Sequence, residues 1–317
     1  MPSIRGTRGR HMRGNLRLGG RSGLVLLAGI GLLLAGTSVS SAAQQTTTGT
    51  AASTSVATSA ALVIKDNDFN GDGNSDVLSV DSAGRLWLYP GNGAAGWLPR
   101  IGYSYGWDAM TAILAPGDFD GDGNADLMSV DSTGYLRLYS SNGAGGWLSW
   151  KRFGGGWNAM TSVFGPGDFN GDGFMDVLAR QSTGQLWLYP GNGAGGFLPR
   201  VGYGYGWNVM TSLRGPGDFS GDGFVDVTAR DGNGNLWLYR GNGTGGWLPG
   251  RTLIGSSWQN LTAIVTPWDF SGDDKVDLLV RNASGSLYMY RGSGTGGWIL
   301  PPVLVGSGWN SMTAITA

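Results

Sequence analysis

The chain has 317 residues, 60 of them glycine and 14 tryptophan, with no cysteine. Its one histidine is His11 and its 22 acids are all aspartate, so beyond the N-terminal segment it holds no His, Cys or Glu. That inventory excludes disulfides, a Ser-His-Asp triad, a Cys-His pair, a zinc site built on imidazole or thiolate, and glutamate acid–base chemistry.

Residues 1–43 read as a secretory signal peptide, which makes the mature chain secreted with no membrane span. Six arginines (Arg5, Arg8, Arg10, Arg13, Arg17, Arg21) and no acid precede the apolar run LVLLAGIGLLLAG from Leu24, and small residues lead to Ala43. The run is short for a membrane span. Residues 44–60 are a low-complexity linker of small polar residues. Removing the six arginines leaves 15 bases against 22 acids, a formal charge of −7. Nucleic acid is not an expected partner.

Residues 61–317 repeat. The loop DFNGDGNSD at Asp68 recurs at Asp118, Asp168, Asp218 and Asp269. In the second unit, four apolar segments (TAIL, DLMSV, YLRLY, WLSWKRF) alternate with the acidic loop and glycine-rich turns. Alternation with period two, as in LWLY, predicts strands, and four strands per unit predict an all-β propeller of five blades, each of four antiparallel strands. The units run 61–110, 111–160, 161–210, 211–261 and 262–312, with a closing strand at 313–317. The first-strand pattern occurs six times, and the last copy has the full lead-in GWNSMTAI, so the C-terminal strand is expected to complete blade one. Trp107, Trp157, Trp207, Trp258 and Trp309 recur at one position and are expected between blades, as are the residues at GGW (Trp97, Trp147, Trp247, Trp298, with Phe197 in the third unit).

The loop fits D-x-[DNS]-x-D-G-x-x-D, which offers oxygen donors at positions 1, 3, 5 and 9 plus the carbonyl of position 7. Hard oxygen donors on a tightly curled loop suit calcium. The predicted ligands are Asp68, Asn70, Asp72, Asn74 and Asp76; Asp118, Asp120, Asp122, Asn124 and Asp126; Asp168, Asn170, Asp172, Phe174 and Asp176; Asp218, Ser220, Asp222, Phe224 and Asp226; and Asp269, Ser271, Asp273, Lys275 and Asp277. Position 12 lacks the glutamate of an EF-hand. A metal-free Asp/Asn/Gly turn is the alternative. Up to five Ca2+ ions are expected, with the fifth site weakest because Asp274 replaces a glycine and Lys275 follows it.

PGDFNGDGFMDVLAR (166–180) and LWLYPGNGAGG (186–196), with counterparts in every unit, resemble the FG-GAP/VCBS-type repeat of integrin α-subunit propellers and of bacterial and fungal propeller lectins. The resemblance covers roughly residues 61–317. It implies calcium loops joining the first two strands of each blade on one face. Integrin-type propellers have seven blades, which leaves a larger ring or a two-chain assembly open beside the expected five-bladed monomer. The missing His, Cys and Glu favour binding over catalysis, and the expected function is a binding module for a glycan, or alternatively for a cell-surface protein in adhesion. An enzyme would have to rely on the aspartates outside the loops (Asp66, Asp81, Asp108, Asp131, Asp231). GYSYGWD (102–108) and GYGYGWN (202–208) supply the candidate ligand residues Tyr103, Tyr105, Trp107, Tyr203, Tyr205 and Trp207. The tyrosines recur in two units only, so the blade does not require them; edge packing is the alternative reading.

Overall fold

The computed structural model describes residues 67–317. The predicted signal peptide, the linker, the first copy of the inner strand and Asp66 lie outside the described residues.

Alternation of leucine with tryptophan or tyrosine makes the third strand of each unit half-buried on one face and buried on the other, and its neighbours pair with it antiparallel. The result is five four-stranded sheets. Blade 1 contains β1 (Val77–Asp81), β2 (Leu86–Tyr89) and β3 (Ile101–Gly102). Blade 2 contains β4 (Met110–Gly117), β5 (Asp126–Asp131), β6 (Leu136–Ser141) and β7 (Trp147–Arg152). Blade 3 has β8 (Met160–Gly167), β9 (Asp176–Gln181), β10 (Leu186–Tyr189) and β11 (Val201–Gly202). Blade 4 has β12 (Met210–Gly217), β13 (Asp226–Asp231), β14 (Leu236–Tyr239) and β15 (Thr252–Gly255). Blade 5 has β16 (Leu261–Val265), β17 (Leu278–Asn282), β18 (Leu287–Gly292) and β19 (Trp298–Gly306).

The last strand, β20 (Met312–Thr316), pairs antiparallel with β1 and is the inner strand of blade 1. The ring therefore closes within one chain at five blades. The sequence reading is confirmed in strand count and order; the outer strands differ from it in length, because β3 and β11 keep only two paired residues each while β19 runs for nine.

The core lies between blades rather than within them. Each of five buried clusters draws on two neighbouring blades, as where Phe69, Leu78 and Leu88 of blade 1 meet Ala125 and Leu127 of blade 2. The recurrent tryptophan of each unit lies against the third-strand tyrosine of the following blade: Trp107 on Tyr139, Trp157 on Tyr189, Trp207 on Tyr239, Trp258 on Tyr290 and Trp309 on Tyr89, with centroids 4.5–4.9 Å apart. Three junctions carry a further clasp. Arg230 donates from Nε to Thr211 Oγ1 and from Nη1 to the carbonyls of Trp258 and Leu261 in blade 5. Arg180 makes the same reach to Trp207 and Met210, and Arg281 to Trp309 and Met312 of the closing strand. Val80 and Val130 occupy this position in blades 1 and 2.

The five inner strands wall a central cavity of about 350 Å³. It narrows toward the acidic loops, where a Cβ on Gly165 would meet Pro116 and one on Gly215 would meet Pro166. Beyond that constriction Trp268, held at φ 60, lays its ring across Gly217 and Gly167. Its counterparts in blades 2 to 4 are glycines; a tryptophan in the left-handed region is strained, and it persists where its surroundings fix it.

Deleting Thr313–Ala317 removes the inner strand of blade 1 and most of the contacts β20 makes across the closing junction. The expected cost is at least about 3 kcal/mol, a fall in melting temperature of roughly 6–12 °C, measured by calorimetry. A melting curve unchanged by the deletion contradicts this closure.

Candidate functional site

The five acidic loops share one hydrogen-bond plan. The carboxylate at position 1 accepts the N–H groups of positions 4 and 6: Asp68 from Gly71 and Gly73, and Asp118, Asp168, Asp218 and Asp269 likewise, at 2.7–2.9 Å. The carboxylate at position 5 (Asp72, Asp122, Asp172, Asp222, Asp273) turns back to cap the N–H of position 7. The carboxylate at position 9 is completely buried. One of its oxygens accepts an N–H near the loop start and the other accepts from the end of the third strand or just after it: for Asp76, Phe69 and Gly91, both at 3.0 Å. Asp126, Asp176, Asp226 and Asp277 repeat this.

Burial pushes the position 9 carboxyls up, to about 7 in Asp76, Asp126 and Asp176 and about 6 in Asp226 and Asp277, against the pull of those N–H groups. In the second loop, oxygens of Asp118, Asp120 and Asp126 lie within 4.8 Å of one another. Three carboxylates that close fit a hard cation, which supplies the charge they otherwise lack. In the other loops position 3 is Asn70, Asn170, Ser220 or Ser271, so two carboxylates share the corner with a neutral oxygen. The position 5 aspartate of the second loop, Asp122, is not one of its three clustered carboxylates. Asn74, Asn124, Phe174 and Phe224 lay their side chains over the turn glycines Gly93, Gly143, Gly193 and Gly243 of their own blade. In the fifth loop Asp274 takes the left-handed conformation of its glycine counterparts, and Lys275 Nζ sits 3.5 Å from Asp273 Oδ2.

Position 2 carries a residue that the sequence reading left without a role. Phe69, Phe119, Phe169, Phe219 and Phe270 are among the largest fully buried side chains. The carbonyl of each accepts an N–H from the glycine-rich turn of the next blade: Gly145, Gly195, Gly245, Gly296 and, across the closure, Ala95, at 2.9–3.3 Å. Occurrence in all five copies was the available signal. The glycines at position 4 face the same turns; a Cβ on Gly71, Gly121, Gly171, Gly221 or Gly272 would collide with the carbonyl oxygen of Gly143, Gly193, Gly243, Gly294 or Gly93.

The tyrosine-rich segments lie at the other end of the inner strands, just before β4 and β12. Of the six candidate ligand residues, Tyr103 and Tyr203 pack into the junctions against Trp147 and Trp247, and burial pushes both phenols up. Trp107 is buried and Trp207 half-buried on the next blade's tyrosine. Tyr105 and Tyr205 stand free, 64% and 73% exposed. The Arg85 guanidinium lies 5.4 Å from the Tyr105 ring and 4.3 Å from the Trp87 ring.

The model of the FG-GAP-like repeat family matches residues 68–129, 118–179, 168–229 and 218–280. Solved structures with a similar fold include a lectin of Agrocybe aegerita described as recognising non-reducing terminal N-acetylglucosamine, 17% identical over 76% of this chain and 79% of that one, TM-score 0.46. They also include the BP39L lectin of Burkholderia pseudomallei, 18% identical over 76% of this chain and 68% of that one, TM-score 0.48. No curated protein matches the chain.

Two outcomes follow from the loops. Phe219, 1% exposed, and Phe224, 44% exposed, sit in one loop. Phe219→Ala is expected to cost about 3–5 kcal/mol and Phe224→Ala no more than about 0.5 kcal/mol in urea unfolding; equal costs would remove the anchoring role. The second concerns pH. The position 9 carboxyls titrate higher in the fold than the ordinary value of about 3.9, so the folded state binds more protons. The stability they contribute is complete below about pH 4 and lost as pH rises through about 6–7. In chelator the melting temperature should therefore fall between about pH 5 and pH 8, and a rise over that range would contradict the assignment.

Proposed function

This chain belongs to the FG-GAP-like repeat family, and from that premise we propose that it is a secreted, calcium-stabilised binding module whose ligand is a carbohydrate. The observation that carries the ligand class is the exposure of Tyr105 and Tyr205 on glycine-rich turns of a rigid ring. A sugar presents C–H faces that lie on an aromatic ring and hydroxyls that need donors. Two open phenol rings, one with a guanidinium beside it, supply both. Secretion rests on the basic, apolar and small-residue order of residues 1–43. Among the described residues no helix is long and apolar enough to cross a membrane.

Calcium in this reading is structural. The donors are oxygens throughout, and a cation at Asp118, Asp120 and Asp126 relieves their mutual repulsion. At a calcium concentration ten times the dissociation constant, one site adds about 1.4 kcal/mol. Five would add roughly 7 kcal/mol, on the scale of a whole domain's stability of about 5–15 kcal/mol. The fifth site is the weakest, because the Lys275 ammonium already pairs with Asp273. Catalysis is not part of the reading, since neither His, Cys nor Glu follows His11.

A protein partner is the second reading. It is favoured by the exposed Leu148 and Trp150 on the outer strand β7, with Leu300 and Leu304 on β19.

A glycan array separates the two. Sugar binding that weakens about tenfold in Tyr205→Ala or Tyr105→Ala, with melting temperature and calcium content unchanged, is the expected result. Silence on the array, with a protein captured through β7, would replace the first reading by the second. Calcium should abolish the fall of stability with pH seen in chelator, and its removal should lower the melting temperature and expose the chain to protease. An unchanged melting curve with sugar binding alone lost would put calcium in contact with the ligand.

A further inference from the structure

The central cavity is lined by guanidinium groups that form no ion pair among the described residues. Arg180, Arg214 and Arg281 are among its walls, and among the described residues no aspartate is. Arg214 is the one cation on the five inner strands; Leu114, Phe164, Val265 and Thr316 hold the matching places. Three of the other four blades pack this level with an apolar residue, so the fold does not require a charge there. Arg214 Nε donates to the Ile264 carbonyl and Nη1 to the Leu213 carbonyl, both at 2.7 Å. Arg180 and Arg281 likewise commit Nε and Nη1 to threonine and main-chain oxygens. In none of the three does Nη2 make a hydrogen bond among the described residues, and none of the three Nη2 atoms is sealed from solvent.

The ion pairs among the described residues are Arg137–Asp131 and Lys275–Asp273, so no carboxylate, that of Ala317 at the same wall included, lies within 4.0 Å of these guanidiniums. Desolvation, and then the nearby charge of Arg230, hold the Arg214 guanidinium down at about 10. A cation taken from water without a partner is costly, and a guanidinium is a planar fork shaped for oxyanions.

We propose that the channel is an oxyanion-binding site centred on Arg214. The anion enters by the mouth ringed with Thr111, Thr161, Thr211, Thr262 and Thr313, because the other end is closed by main-chain contacts and by Trp268. It is taken by the uncommitted Nη2 of Arg214, with Arg180 and Arg281 adding field. Ser212 lies two residues before Arg214 on the same face of β12 and also lines the cavity. A cavity of about 350 Å³ takes a small group, such as inorganic sulfate or phosphate, or the carboxylate of an acidic sugar, rather than a polyanion. The site is separate from the acidic loops and does not depend on the carbohydrate reading.

The test is the melting temperature of the full chain in calcium, with sodium sulfate against sodium chloride at equal ionic strength, and with glucuronic acid against glucose. A saturable rise of about 2–4 °C with sulfate, glucuronate or both is expected. A response to glucuronate alone identifies a sugar-borne carboxylate, and a response to sulfate an inorganic anion; either upholds the site. Arg214→Met should lose the response, while Arg251→Met, whose guanidinium lies on Trp237 4.0 Å from the ring centroid, should keep it. Ser212→Asp places a carboxylate two residues from Arg214 and should raise the melting temperature in chloride while removing the response to anion. Ser212→Asp keeps the proposal testable if Arg214→Met does not fold. No response to either anion in the native chain, or an equal response in Arg214→Met or Ser212→Asp, overturns the proposal.

Discussion

The ring depends on a buried carboxylate used as a joint. In each blade the last aspartate of the acidic loop ties the loop start to the end of the third strand or just after it, entirely through main-chain N–H groups. The tie holds the adjoining phenylalanine in the gap to the next blade, where its ring is buried and its carbonyl takes a hydrogen bond. Loop conformation, blade spacing and ring closure are one interaction repeated. Placing an acid in that position costs stability whenever it is charged and unaccompanied. A cation at Asp118, Asp120 and Asp126, as proposed above, would meet that charge and make the joint and the candidate metal site parts of one device.

Much of the architecture was legible because it is periodic. Strand alternation, five acidic loops and a surplus inner strand are statements about spacing, and spacing survives in a sequence. Features that belong to one blade, or to the contact between two, were less visible. Phe69 and its counterparts look like ordinary loop hydrophobics until the neighbouring turn is in place. Tyr103 and Tyr105 are two residues apart and read alike as text, but one faces a junction and the other faces solvent. The spacing of the position 5 aspartates places them with the other candidate ligands. In the fold each also caps a main-chain N–H of its own loop, a second role that spacing alone does not show. The arginine clasps were unreadable for a different reason: the carbonyls that receive them lie about thirty residues away, in another blade.

Departures from fivefold symmetry are where the protein is individual. Blades 1 and 2 use Val80 and Val130 where the other three use arginine, and within those two blades Ser79 and Ser129 reach the sulfurs of Met312 and Met110. Trp268 stands where three blades have glycine, and Arg214 where others are mainly apolar. Trp268 and Arg214 lie along the central axis and at its end, while position 1, position 9 and the phenylalanine of every loop stay the same. A repeated scaffold fixes the walls and leaves its axis open to change.

The position 4 glycines set how such a protein can diverge. Because any side chain there would strike the neighbouring turn, a substitution in one copy could not be absorbed by that copy alone; its neighbour would have to move as well. Position 7, three residues on, holds Asn, Asn, Phe, Phe and Lys across the five units. Within a single chain the five copies thus act as five parallel trials of the same motif. They have wandered where a side chain lies on its own blade, and they have stayed identical where it would intrude on the next.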